Sequence, residues 1–133
     1  MQITSWNCRG LGNPKNAEDV KDLMRIESTG ILLLQETKID KDVLLLLRKT
    51  KWKMNTGIFV SARGTYGGLA TIWSEEKFTM LSSFVTQHWI YSKLLYSRNK
   101  VSISLFNLYV LVNHAEKKDC WISLSKFLET KSL

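Results

Sequence analysis

A carboxylate and a carboxamide, each set at the end of a short run of β-favouring residues, are the groups of this chain best suited to hold a hard cation. Glu36 follows the continuously apolar residues 31–34 and stands within Leu34-Gln35-Glu36-Thr37-Lys38. A carboxylate at a strand's carboxyl end can face a cleft and bind Mg²⁺ or Mn²⁺ through oxygen. Asn7 stands near the end of the strand-favouring residues 3–8, within Ser5-Trp6-Asn7-Cys8-Arg9-Gly10-Leu11-Gly12. Its amide offers an acceptor to a metal or water and a donor to a phosphate oxygen. Tyr109, in Tyr109-Val110-Leu111-Val112-Asn113-His114, carries a phenol, both donor and acceptor. Phosphodiester hydrolysis without a covalent intermediate needs an activated water, neutralised phosphoryl oxygens and help for the leaving oxygen; a carboxylate-held divalent cation supplies the last two. Taken singly, each residue also has an ordinary reading. Glu36 is then a solvated loop acid beside Lys38, Asn7 a partner of the following turn, and Asn113 the N-cap of a helix.

The elements that must position these groups follow from local pattern. Residues 3–8 favour a strand and end at glycines that permit a turn. Asn13-Pro14 offers a cap and a first-turn proline, and Val20, Leu23 and Met24 give one apolar face to a helix running to about Ser28. Gly30 stops it, and residues 31–34 read as a strand covered on both faces. The opening is therefore β-α-β. Asp40 can cap a second helix through Leu47. Strands are expected over 52–61 and 67–74, the latter holding Gly67-Gly68-Leu69-Ala70-Thr71-Ile72-Trp73, then in long segments near 78–92 and 101–111. Asn113 with Glu116 matches a capping box, and Trp121, Leu124, Phe127 and Leu128 form the expected core-facing stripe of a last helix. Trp52, Trp73 and Trp121 all read as core. Within the loop 62–66, Arg63 and Tyr66 can meet nucleic acid by phosphate contact and stacking. Lys15, Lys38, Lys41 and Lys100 read as dispersed surface charge, and His114 as a first-turn helix residue. The order fits half of a two-sheet α/β sandwich in a single unit, 1–133, with one sheet begun and not yet covered where the chain reaches Leu133.

Composition sets the outer limits. The chain of 133 residues is 44% hydrophobic, with five Trp, five Phe and four Tyr, enough for one packed core and too apolar for a disordered tail. Nineteen Lys and Arg against twelve Asp and Glu leave a net charge of +7, which favours a polyanionic partner. Cys8 and Cys120 are the only cysteines and lie far apart, so neither a disulfide framework nor a zinc pattern is present, and a reducing, intracellular setting is expected. No apolar stretch reaches the ~20 residues that span a bilayer, and no membrane partner is expected.

The three motifs around Asn7, Glu36 and Gly67, with the segment at Tyr109, resemble the opening half of the endonuclease/exonuclease/phosphatase superfamily, most closely the endonuclease domain of plant LINE-like non-LTR retrotransposons. The resemblance covers nearly the whole chain and implies the N-terminal half of a four-layer α/β sandwich, of which a complete domain is about twice as long. It implies that Glu36 is a metal ligand, that Asn7 lies beside a Mg²⁺ or Mn²⁺ ion, that Tyr109 is the site tyrosine and that Asn113 is the polar residue near the phosphate. Leu111 stands where the family usually has Pro. The implied ancestral reaction is metal-dependent nicking of DNA, with a nuclear setting if that role persists. Apurinic-site repair nucleases share the Trp-Asn and Gln-Glu-Thr-Lys patterns and are the nearest alternative; a non-enzymatic nucleic-acid-binding or interaction module is the alternative from another class. The family's Asp-x-Asn motif and Asp-His pair have no counterpart here. The expectation is a partial domain, inactive alone, with an uncovered sheet prone to self-association.

Overall fold

The computed structural model describes residues 2–27, 30–50, 52, 56–63, 67–109 and 114–130. Strand β1 (Ile3–Asn7) leads into helix α1 (Pro14–Glu27) and returns as strand β2 (Ile31–Gln35), parallel to β1 with Ile3 opposite Ile31 and Asn7 opposite Gln35. This is the expected β-α-β opening, with Pro14 at the first helical position, where its missing N–H costs nothing. Helix α2 (Lys41–Thr50) follows, its first turn capped by Asp40, whose Oδ1 accepts the Val43 amide at 3.0 Å. Strands β3 (Thr56–Val60) and β4 (Leu69–Trp73) then complete an antiparallel addition, so that the first sheet runs β1-β2-β4-β3.

Alternation along these strands divides the residues between two faces. Leu32, Leu34, Ala70 and Ile72 meet Ala17 and Val20 of α1 and Leu44 of α2. Trp52, 3% exposed, closes that core, its indole Nε1 donating to Ala17 O at 3.3 Å. Ile31, Leu33 and Trp73 point the other way, onto a second sheet.

That second sheet corrects two expectations. The segment near 78–92 is not continuous: β5 (Phe78–Val85) and β6 (Trp89–Tyr96) form a hairpin turned at Thr86, whose hydroxyl accepts the His88 and Trp89 amides. β7 (Ser102–Leu108) pairs with β6, giving the order β5-β6-β7. The inner face of the first sheet is therefore covered, by Leu94 with Ile103 and Leu105, rather than left open. The chain builds part of each of two sheets, not all of one.

Helix α3 (His114–Thr130) lies on the outer face of the second sheet. Its buried stripe is Cys120, Leu124 and Phe127, packed on Trp89 and Tyr91. The Phe127 ring sits 4.9 Å from that of Trp89 and 5.1 Å from that of Tyr91, close enough for aromatic attraction beyond area burial. Leu124 and Phe127 are buried as expected, but Trp121 is 47% exposed and Leu128 39%, and Cys120 takes the inward place of Trp121. Residues 120-124-127 and 121-124-127-128 both have helical spacing, and the aromatic face of the sheet selects the first. Trp52 and Trp73 are buried as expected. Helices, sheet, sheet and helix make a partial four-layer α/β sandwich.

Candidate active site

Three loops meet beyond the ends of β1, β2 and the start of β4. The Cys8, Gly10 and Leu11 amides donate to the carbonyls of Gln35, Glu36 and Thr37 at 2.8, 2.9 and 2.8 Å, and the Thr37 and Lys38 amides donate to Gly68 and Gly67 at 3.2 and 2.9 Å. The loops thus continue the sheet ladder as an irregular zipper. Among the described residues, positive φ occurs at Arg9, Gly10, Glu36, Lys38, Gly67, Gly68 and Lys100, and all but Lys100 lie in these loops. Such conformations cost roughly 1–3 kcal/mol each where the residue is not Gly, and they persist only when surrounding contacts hold them. Gly68, at φ +92°, shows why Gly is needed: a Cβ there would run into Thr37 Oγ1.

The Glu36 backbone has φ +52°. In a regular strand its side chain would alternate away from Gln35, toward the helices. The left-handed turn breaks that alternation, and Oε1 accepts a hydrogen bond of 3.1 Å from the Tyr109 hydroxyl, which follows the end of β7 in the other sheet. Tyr109 is half-buried. Its pKa is raised, by burial first and then by the hydrogen bond to Glu36 and that residue's charge, so the phenol keeps its proton and remains a donor. The Tyr109 amide donates to His88 O at 2.9 Å, tying this end of β7 to the β5–β6 hairpin.

Asn7, exposed, ends β1 directly beside the end of β2. Its Oδ1 accepts the Arg9 amide at 3.1 Å. The turn-bonding reading of Asn7 is thus realised together with its place at the sheet edge. Cys8, between them, is 2% exposed, and burial, with the Glu36 charge adding, pushes its thiol up to about 12. It is no nucleophile. Arg63 is exposed. Tyr66, Leu111 and Asn113 lie outside the described residues. His114 is the first residue of α3, as its sequence position implied.

Local pattern did not single out Gln35 and Asn107. Asn107 is 1% exposed. Its Nδ2 donates to Leu34 O at 3.2 Å and Ala70 O at 2.9 Å, with Thr71 Oγ1 at 3.4 Å, and its Oδ1 accepts Gln35 Nε2 at 2.8 Å. Gln35 in turn reaches Ser5 Oγ at 3.1 Å. A signal was available: Ile103, Leu105 and Asn107 share the inward face of β7, and an amide there interrupts an apolar row.

Among the described residues no three His, Cys, Asp or Glu side chains gather into a closed metal cage. One carboxylate and one carboxamide at the ends of adjacent strands suit instead a cation that keeps most of its water, as Mg²⁺ does when waters and substrate phosphate complete its shell.

The same architecture occurs in solved structures. An endonuclease/exonuclease/phosphatase from Bacteroides vulgatus superposes with a TM-score of 0.68 at 15% identity, over 96% of this chain and 60% of that one. A 3'-5' exonuclease from Neisseria meningitidis gives 0.65 at 21% identity, over 96% and 51%. D. rerio TDP2, solved with a single-stranded DNA product, gives 0.61 at 19% identity, over 97% and 55%. At these identities the likeness is one of fold, and the chain spans between half and three-fifths of each. No curated protein sequence matches the chain. A family model does: residues 4–121 match it, and the chain belongs to the endonuclease/exonuclease/phosphatase family.

Proposed function

We propose that this chain carries the Asn7–Glu36 side of a divalent-metal-dependent phosphodiesterase site that acts on DNA. The observation that carries the reading is the Tyr109–Glu36 hydrogen bond, which joins a phenol after one sheet to a carboxylate after the other at their common edge. A bound Mg²⁺ or Mn²⁺ ion would neutralise charge on the phosphoryl oxygens. Glu36 and Asn7 would hold it. The Tyr109 proton, retained because the phenol pKa is raised, is available to a phosphate oxygen. Arg63 and Tyr66 would contact the nucleic-acid chain outside the reacting centre, and Asn113 would bond near the phosphate. The wording Asn-Cys-Arg-Gly-Leu-Gly favours descent from a LINE-like retroelement endonuclease of plants, and with it a nuclear setting.

The 133 residues contain no Asp-x-Asn and no Asp-His. In this reading a general base and a second acidic group would come from outside them, and groups that act as one catalytic unit lose most of their effect when one is missing. Alone, the chain should leave supercoiled plasmid intact in Mg²⁺. Mixed with the C-terminal half of a related retroelement endonuclease, it should nick plasmid in a Mg²⁺-dependent reaction, and Glu36→Gln should lower the rate on the order of 10³-fold. A folded hybrid that nicks equally well with Glu36→Gln would sink the site. DNA binding that weakens steeply with salt, without cleavage by any hybrid, would select a non-enzymatic module instead.

A further inference from the structure

Burial of apolar side chains between two layers is non-directional, so by itself it marks no single register of one layer on the other. A catalytic contact that spans two such layers needs something directional to index them. Tyr109 and Glu36 form such a contact, since one follows β7 and the other β2. We infer that Asn107 is the indexing group, a positioning residue that sets the Tyr109 hydroxyl against the Glu36 carboxylate.

The geometry supports this at each end. Asn107 and Tyr109 are two residues apart, so in an extended chain they share a face and lie about 6–7 Å apart. On the opposite sheet, the groups that Asn107 bonds are Leu34 O and the Gln35 carboxamide, the two residues before Glu36. The spacing on β7 is therefore matched to the spacing on β2. Ala70 O adds a third anchor from β4, so the amide spans the β2–β4 seam and not one strand alone. Both halves of the amide are used: Nδ2 donates to the carbonyls and Oδ1 accepts from Gln35. A slip of β7 by two residues would bring Leu105 or Tyr109 onto the seam. Leu105 has no polar group, and the single hydroxyl hydrogen of Tyr109 cannot replace the two that Asn107 Nδ2 gives to Leu34 O and Ala70 O; buried polar groups left unmatched oppose such a slip.

The inference rests on the proposed function only in that Glu36 is the group being placed, and it is measured without metal or substrate. The full chain, labelled with ¹³C at the tyrosine ring, is examined by NMR at neutral pH. Tyr109→Phe identifies the Tyr109 resonance by its loss, and Glu36→Gln records the shift that follows when the charged acceptor is removed. In Asn107→Ala that retains its far-UV circular dichroism, Tyr109 should move to its Glu36→Gln position and lose its response to that substitution, while Tyr91 and Tyr96 stay where they were. Asn107→Ser, which keeps one donor and leaves a smaller void, should move it in the same direction by less. A Tyr109 resonance unmoved in either folded variant overturns the inference. Hydrogen exchange in the wild type decides if neither variant folds: the Asn107 carboxamide protons should exchange as slowly as the backbone amides of β2, and rapid exchange overturns the role. Absence of nicking by hybrids leaves this result intact, and an unmoved Tyr109 leaves the nicking hypothesis to stand on Glu36.

Discussion

Lys38 and Glu36 both hold a left-handed backbone without being glycine, at φ +56° and +52°, yet they answer to different needs. Glu36 uses its turn to bring a carboxylate to Tyr109. Lys38 is exposed, its side chain lying along Gly10. Lys38→Gly should therefore release strain without removing a site group. Relief of ~1–2 kcal/mol, less the ~0.5–1 kcal/mol of added unfolded-chain freedom, leaves a gain between zero and about 1.5 kcal/mol, to be read from urea denaturation. A loss of stability would mean that the Lys38 contacts outweigh its backbone strain. The thiols give a second test at this scale. Burial raises Cys120, and burial together with the Glu36 charge raises Cys8 to about 12. The folded chain then keeps protons that the unfolded chain releases in the ordinary thiol range, so both thiols contribute stability that is whole below about pH 8.5 and is lost as pH rises, for Cys8 as it climbs toward 12. Iodoacetamide at pH 8 should modify Cys8 in urea and spare it in the native protein. Rapid native modification would contradict its burial.

At the scale of elements, the site depends on loops that extend the first sheet beyond its strands. Gly68 is where they come closest, since the Thr37 side chain fills the space a Cβ would take and the backbone has φ +92°. Gly68→Ala should cost more than about 1 kcal/mol, because the conformation is incompatible with a side chain as well as crowded. It should also disturb the Thr37–Gly68 and Lys38–Gly67 bonds that hold Glu36 in place. Thermal melting measures the first effect. Amide shifts of residues 35–38 measure the second; a melt unchanged from wild type would show that the zipper is slack. Gly67, the preceding residue of the same turn, has open space at its Cβ position, so Gly67→Ala should carry only the penalty of its φ of +81°.

For the whole molecule, the important surface is the one along the outer strands of the two sheets. β1 and β3 are the outer strands of the first sheet, β5 and β7 those of the second. Ile3 and Trp6 on β1 are 42% and 40% exposed, and Phe84 and Val85 on β5 are 49% and 43%. Outer strands with apolar side chains invite pairing with further strands. The 133-residue chain should accordingly associate as its concentration rises, and Ile3→Lys with Val85→Lys should suppress this by placing charge on both strands. Sedimentation velocity across a concentration series checks it. A monomer throughout, with a sharp cooperative melt, would show that the two partial sheets satisfy one another without further cover.

Asn13-Pro14, Asp40, Gly30 and the continuous apolar run at 31–34 were enough to lay out β1, α1, β2 and α2, and to put Asn7 and Glu36 at strand ends. Each of those features acts within a few residues of where it stands, through a cap, a fixed φ or a side-chain period. Family membership was legible for the same reason, since its motifs are short and contiguous. The hairpin at Thr86, the rotation of α3 that exposes Trp121, and the division of the strands between two sheets were not legible. Each has two locally acceptable answers, and the partner surface chooses between them. The Tyr109–Glu36 contact and the Asn107 bridge to Leu34 join residues 73 positions apart. No local pattern encodes such a meeting: it exists only once apolar burial has brought β7 onto β2, and directional hydrogen bonds then select which residues face each other.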